Sequence, residues 1–549
     1  MSDFQIPTLS RRRFLAGSAG LAVSATVLSA CGGGDDGGGA GSSGGDGGSV
    51  ELPTFKKIEA TVMPDLPGDG IVQDVYFSYP DPPYQAVEHP TGSGGELRAM
   101  LMTYSTPPTP MDQNSYWQRM NDDLGVTFIP DLVPADDYVE KFSTVIAGGG
   151  ELPEIIQAPL WMPLPRMGEL IKSQFTDLTE YLSGDAVLTY PNLANIPTAS
   201  WKNAVNQGIL WGVPIPRPQF PSVMYVRMDR SEQAGFAEFP KTQEEFLEWG
   251  EAMTDTSKQQ YAFAAVQNGW MENAVNGMYE QPNKWHLDGD TLTREWDHPG
   301  YFDGTDFVKQ VWDLGYLHPD TPGMQVSQQQ TLFWNGTIAA CENGISAVSS
   351  AAQYPDVPLG ARAPWTKDGS KVHAMQNTGI FSVNALKKGL EKAKVEEYLN
   401  ILDYLAAPFG SQEYTTISFG LEGEQYTIEN GSPTPIQDKA ADLAINLKYV
   451  ATAPQTLYAP EMAVQDTYTR FHELQQELAT GLVPDPCVTL RSETLERNGQ
   501  YEQEILDVRT GYILGRKTLD DLKGAVQKYN DEIGAEVNAE MMAAIEARG

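Results

Sequence analysis

From Glu96 to Leu160 strand-like and helix-like segments alternate at short spacing, and that pattern leaves few folds open. ELRAMLMTYS reads as a buried strand, with Met100 and Met102 on one face and Leu101 and Thr103 on the other. A helix over 114–124 follows, then VTFIPDLVP as a second strand. Asp136 is placed to cap YVEKFSTVIAGGG, whose Val139, Phe142, Val145 and Ile146 share a face and whose glycines stop it. LPEIIQAPL is another short strand. Strands and helices alternating in this way predict an α/β lobe built on a largely parallel sheet.

One such lobe does not use up a chain of 549 residues, and a single core does not grow to that size, so two or more lobes are expected. Further along, Asn206-Gln207-Gly208 reads as a hairpin turn. Prolines at 214, 216, 218 and 221 then hold an extended segment that cannot be helical. SVMYVRMD re-enters as a strand, and Thr242-Gln243-Glu244-Glu245 is a capping box starting a helix through Met253. A long amphipathic helix is expected at about 385–407, and 455–548 is strongly helical, with Thr518 and Asp521 forming another cap. Residues 50–95 are rich in proline and glycine and read as an extended lead-in rather than a domain.

The first 49 residues follow a different logic. Arg11, Arg12 and Arg13 precede an apolar run over 14–30 that is short and weakly hydrophobic for a membrane span. Ser10 to Leu15 resembles a twin-arginine export signal, and Leu28-Ser29-Ala30-Cys31 resembles a bacterial lipobox in which Cys31 is acylated and becomes the mature N-terminus. The expected boundaries are a signal peptide over 1–30 and a lipidated Cys31 with a Gly/Ser tether over 31–49. Such a tether reaches roughly 20–25 Å root-mean-square.

The formal net charge of −36 becomes more negative once three leader arginines and one aspartate are removed. A surface this acidic repels nucleic acid and anionic lipid heads, so no nucleic-acid partner is expected and the lipid alone should hold the membrane. Beyond Cys31 only Cys341 and Cys487 remain; they permit one disulfide or two buried thiols. His472-Glu473-Leu474-Gln475-Gln476 imitates a zinc-protease motif but lacks its second histidine, and no phosphate-binding glycine loop is present.

Four segments in order carry a resemblance: LPEIIQA (152–158), QGILWGVP (207–214), FWNGTIAA (333–340) and FGLEGEQY (419–426). They are similar to the extracellular solute-binding proteins of bacterial ABC sugar importers, family 1, in the oligosaccharide and uronate-binding branch. Thr337 stands where that family usually has lysine. The resemblance implies an α/β, two-lobe periplasmic-binding-protein-like fold of type II, with maltose-binding-protein topology and a helical C-terminal region. It places lobe 1 at 96–217 plus 337–378 and lobe 2 at 218–336 plus 379–549, with crossings at 214–221, 331–338 and 377–383. It implies a carbohydrate ligand, ABC transporter permease subunits as partners, a monomer, no enzyme activity and an extracytoplasmic, lipid-anchored location. Branch members that bind alginate carry a calcium loop where this chain reads Thr254 to Gln260 without the carboxylate spacing calcium needs, so no metal or cofactor is expected.

Sugars present apolar C–H faces edged by hydroxyls, so a sugar cleft needs aromatic plates and directional polar groups. Trp161 follows the LPEIIQA strand, at the end where α/β lobes place binding loops. Trp270, in VQNGWMEN, matches the position at which the family usually puts a stacking aromatic. Arg217 sits between two prolines at the hinge, and Glu342 and Asn343 follow the expected second crossing. Arg362 and Trp365, in ARAPWTKDG, complete the candidates, each either facing the cleft or pinning a loop. A surface-anchored glycan hydrolase or lyase, and a non-transport carbohydrate sensor or adhesin, are the alternative readings.

Overall fold

A computed structural model describes residues 50–59, 62–88, 90–147, 152–206, 208–266, 269–354, 356–488 and 490–548. The expected signal peptide, Cys31 and tether lie outside the described residues.

Nine strands build two sheets: β1 (Glu96–Thr103), β2 (Thr127–Pro134), β3 (Ile155–Ala158), β4 (Val213–Pro216), β5 (Ser222–Arg227), β6 (Tyr261–Ala264), β7 (Ile338–Gly344), β8 (Leu359–Arg362) and β9 (Ile380–Leu386). The helices that matter here are α1 (Ser115–Leu124), α2 (Tyr138–Ala147), α3 (Gln243–Met253), α4 (Glu272–Met278), α5 (Val326–Trp334), α6 (Lys392–Leu405), α7 (Met462–Ala479), α8 (Gln500–Ile513) and α9 (Leu519–Tyr529).

The first sheet runs β2-β1-β3-β9-β4. β1 is parallel to β2 and β3, whereas β9 is antiparallel to β3 and β4. β1 is covered on both faces: Leu97 and every residue over 99–102 are buried, as a strand inside a helix-covered parallel sheet requires. Pro214 and Pro216 are tolerated because β4 is an edge strand, where a missing N–H breaks no ladder. The second sheet runs β8-β5-β7-β6, with β7 parallel to β6 and β5 antiparallel to both β7 and β8.

The two sheets define two lobes, and the chain passes between them through short extended segments. β4 and β5 are separated only by Arg217 to Pro221, so the proline run does cross. The segment entering β9 crosses beside it: Arg217 N donates to Gly379 O at 2.9 Å and Asn377 N to Gln219 O at 2.8 Å. Gly379 has φ +78, and a Cβ there would meet Gln219 Cγ at 3.0 Å, so this tight pairing requires glycine.

The lobe assignment differs from the expectation beyond residue 337. β7 and β8 pair with β5 and β6, which puts 337–378 in lobe 2, and 331–338 is the end of α5 and the start of β7 rather than a crossing. β9, α6 and the turn at Leu447–Tyr449 pack in the core of lobe 1, so much of 379–451 belongs there. The chain re-enters the lobe 2 core at Leu457. A buried strand reads alike in either sheet, so its pattern does not say which one it joins.

The capping boxes at Thr242–Glu245 and Thr518–Asp521 form as the sequence implies. The lead-in is extended, as expected, and is tied down at both lobes. Thr54 N donates to Gly184 O at 2.9 Å, and Val75–Tyr76 pairs in parallel with Leu457–Tyr458. Cys341 and Cys487 lie buried in separate cores and are not joined by a disulfide. His472 is buried, with Nε2 3.3 Å from Pro67 O, a packing role rather than a metal ligand. Among the described residues no helix is long and apolar enough to cross a membrane.

Candidate ligand-binding cleft

At one edge of the first sheet the parallel strands end and β9 begins, so residues distant in sequence meet there. Tyr104 follows β1, Asp136 follows β2, Trp161 follows β3, Arg217 follows β4, and Phe381 is the second residue of β9. Tyr449 joins them from the turn after Asn446. The rings form a continuous wall: Trp161 and Phe381 have centroids 5.9 Å apart, and Phe381 and Tyr449 5.1 Å. Arg217 lies over Phe381 at 5.2 Å, and Lys448 over Tyr449 at 5.5 Å.

This wall is open to solvent. Trp161 is 52% exposed and Tyr104 53%, uncommon for rings of this size unless something is meant to cover them. Protein nonetheless surrounds them on several sides. Desolvation raises the phenol of Tyr104, with Tyr449 and Asp136 adding and Arg217 opposing. From lobe 2, Ser327 on α5 donates to Asp136 Oδ2 at 3.5 Å, so both lobes meet at this edge.

Trp161 and Arg217 therefore stand together on the lobe 1 wall. Tyr104, Phe381, Lys448 and Tyr449 were not among the residues expected from sequence. Tyr104 follows a strand just as Trp161 does and was open to the same rule. Tyr449 and Lys448 sit in a turn that carries no local signal.

Trp270 is placed elsewhere. It is 1% exposed in the core of lobe 2, edge-on to Trp312 at 5.9 Å, with Nε1 donating to Thr510 Oγ1 at 3.3 Å. The strand-end rule located its loop, but the backbone turns the ring inward at φ +43, and it offers no face to a ligand.

Glu342 lies at the carboxyl end of β7, where it accepts from Ala274 N at 2.7 Å and from Asn273 N and Nδ2 at 3.3 Å. Its carboxylate thus fixes the start of α4. Asn343 accepts from Gly344 N at 2.8 Å and so shapes the strand end. Burial pushes Glu342 up to about 7, against the hydrogen bonds that lower it. Between its ordinary 4.5 and about 7 the folded protein holds a proton that the unfolded chain has released, so this group's contribution to stability falls as pH rises through that window and is level above it. Glu342→Gln should lack that slope, so the gap between wild-type and variant melting temperatures should change with pH over melting curves recorded from pH 4 to 8. A constant difference across the range would contradict it.

Arg362 and Trp365 do not reach the wall. They line a separate cavity of about 320 Å³ on the flank of lobe 2, with Phe239, Lys241, Arg470 and Glu477. Arg362 is 4% exposed, and burial pushes its guanidinium down to about 10, Glu477 and Glu245 opposing. Lys241 sits 4.8 Å over the Trp365 ring. Of the two roles allowed from sequence, pinning a loop is the one the geometry matches: Arg362 Nη2 donates to Lys241 O at 2.9 Å.

The 254–260 turn is a poor calcium site. Asp255 is engaged by Lys258 at 2.8 Å and by Ser257, which hold its carboxyl down at about 2.

A model of the bacterial extracellular solute-binding proteins matches residues 105–400. The chain is 23% identical over 471 residues to the polygalacturonan/rhamnogalacturonan-binding protein YtcQ of Bacillus subtilis, covering 80% of this chain and 88% of that protein. Among solved structures it is similar to an alginate-binding protein, AlgQ2, crystallised without calcium ion, with a TM-score of 0.58 at 13% identity, covering 82% of this chain and 98% of that one. It is also similar to an N-glycan transport solute-binding protein of Streptococcus pneumoniae in complex with Man1GlcNAc, with a TM-score of 0.59 at 12% identity, covering 83% and 99%. These likenesses share the fold: two α/β lobes of the type II periplasmic-binding-protein class.

Proposed function

Because this chain belongs to the bacterial extracellular solute-binding proteins, we propose that it captures an oligosaccharide between its two lobes and delivers it to the permease of an ABC importer. The observation that carries the reading is the solvent-open wall of Trp161, Phe381 and Tyr449 at the carboxyl edge of the first sheet. Aromatic plates of this kind cover the C–H faces of sugar rings, and hydroxyls find Asp136, Arg217 and the strand-end backbone groups. The glycan-binding names of its relatives support the same ligand class.

Hinge closure requires a ligand that binds the closed form better than the open one. The paired segments Arg217 to Gln219 and Asn377 to Gly379 are the natural pivot. The test is calorimetric titration of the purified protein with a panel of oligosaccharides. Saturable binding without turnover is the expected result, and hydrolysis or elimination products in the cell would sink the binder reading.

The leader adds a place. The ordered SRRRFL and LSAC motifs support export in the folded state and acylation at Cys31, which would tether the body to the outer face of the cell membrane. Cys31→Ala should move the protein from the membrane fraction to the soluble fraction. Persistence at the membrane without an acylated N-terminus would refute the anchor.

A further inference from the structure

The lead-in touches lobe 1, lobe 2 and lobe 1 again in turn. In lobe 1, Lys56 N donates to Ala194 O at 2.8 Å and Ile58 N to Asn195 Oδ1 at 2.9 Å. Val72 and Val75 are then buried in the core of lobe 2, and Gln73 N donates to Gln475 Oε1 on α7 at 2.9 Å. The return is held by Glu413, a buried carboxylate that accepts from Ala86 N at 2.9 Å and from Val87 N at 3.1 Å. Glu413 lies on the helix Gln412–Phe419, whose Ile417 packs against the core of lobe 1. A buried carboxylate spent on two backbone N–H groups is a specific attachment, because charge-assisted bonds are about twice as strong as neutral ones.

Where the lead-in returns, rings of both lobes meet. Tyr76 and Tyr458 are paired strand residues on the lobe 2 side, beside the buried Val75 and Leu457. Phe409 follows α6 of lobe 1. Its ring centroid lies 4.7 Å from Tyr76, 5.0 Å from Tyr79 and 5.4 Å from Tyr458, and Tyr79 is 5.5 Å from Tyr458. Tyr79 Oη and Thr415 Oγ1 are 2.8 Å apart, and a Cβ on Gly410 would meet Pro80 Cγ at 2.9 Å. Side chains packed this closely resist sliding past one another.

The paired segments Arg217 to Gln219 and Asn377 to Gly379 form a two-stranded ribbon, which by itself can twist as well as bend. A second attachment between the lobes leaves one rotation, about the line through both. Resting on the reading of capture between two lobes, we propose that the lead-in is a strap that pins the lobes together at Phe409, so that the cleft opens and closes along one path. The lead-in is then a positioning element for capture rather than a passive spacer.

Two measurements on the full-length, sugar-free protein in detergent test the strap. The amides of Ala86, Val87, Leu457 and Ala459 bond the lead-in to the two lobes. In the wild type they should exchange hydrogen at least about 100-fold more slowly than a free chain. Free-chain rates there would refute the strap. Nitroxides on Asp122→Cys and Gln310→Cys, exposed positions in lobe 1 and lobe 2, report the spread of interlobe distances by electron double resonance. Phe409→Ala should widen that spread about twofold by freeing the twist. Phe409→Leu refills much of the volume and should return the spread most of the way to wild type. An unchanged spread in folded Phe409→Ala, with a lower melting temperature, would make the joint ordinary packing and overturn the strap. Where Phe409→Ala does not fold, an unchanged spread in Phe409→Leu together with free-chain exchange in the wild type overturns it instead. Neither readout uses a sugar, so an overturned strap leaves oligosaccharide capture standing, and a protein that binds no sugar still tests the strap.

Discussion

Trp161→Ala should weaken oligosaccharide binding about 30- to 150-fold and leave the melting temperature of the ligand-free protein nearly unchanged. The ring is half exposed on the turn after β3 and touches Phe381 at 5.9 Å, so the empty protein gains little from it. Truncating an exposed side chain away from special contacts changes stability by about 0.5 kcal/mol or less. With a sugar stacked on it the ring becomes a buried plate, and losing that burial costs about 2–3 kcal/mol, which is the stated factor in affinity. Calorimetry and melting curves on the same preparation read both quantities. Unchanged affinity would remove the wall of lobe 1 from the binding site. A large drop in melting temperature would make Trp161 a packing residue.

Trp270→Ala should do the reverse. The indole is enclosed in the core of lobe 2 against Trp312, and its N–H is spent on Thr510. Removing a buried aromatic of this size costs about 3–5 kcal/mol in lost burial and residual cavity, a shift of several degrees by differential scanning. The backbone at φ +43 is as unwelcome to alanine as to tryptophan, so strain there does not change. Where the variant remains folded, sugar affinity should move by no more than a few-fold. Trp270→Phe keeps most of the volume and should recover much of the stability, which separates a packing effect from a failure to fold. Lost binding with an unaltered melting curve would return Trp270 to the cleft.

The two tryptophans show where local reading ends. Both follow a strand at its carboxyl end, and the sequence offers both as plates. The difference is the direction in which each loop turns, and that depends on whether neighbours fill the space behind the ring. Trp312 and Thr510, 42 and 240 residues away in the chain, fill it for Trp270. Among the described residues Trp161 has a ring on one side only, that of Phe381.

What the sequence determined by itself was local or periodic. The alternation from Glu96 to Ala158 specified a parallel α/β lobe, because each strand's burial and each helix's apolar face are written within a few residues. The boxes at Thr242–Glu245 and Thr518–Asp521 marked helix starts, because a cap is closed within four residues. The proline run at 214–221 had to be extended, and it does link the sheets. The tertiary structure alone decided which sheet β7, β8 and β9 join, since a strand buried on both faces carries no mark of its partner. It alone brought Arg217, Phe381 and the Lys448–Tyr449 turn together, from positions as much as 232 residues apart. A binding wall at the edge of a sheet is a property of where strands end in space, and strand order is set by long-range packing that no short stretch of residues records.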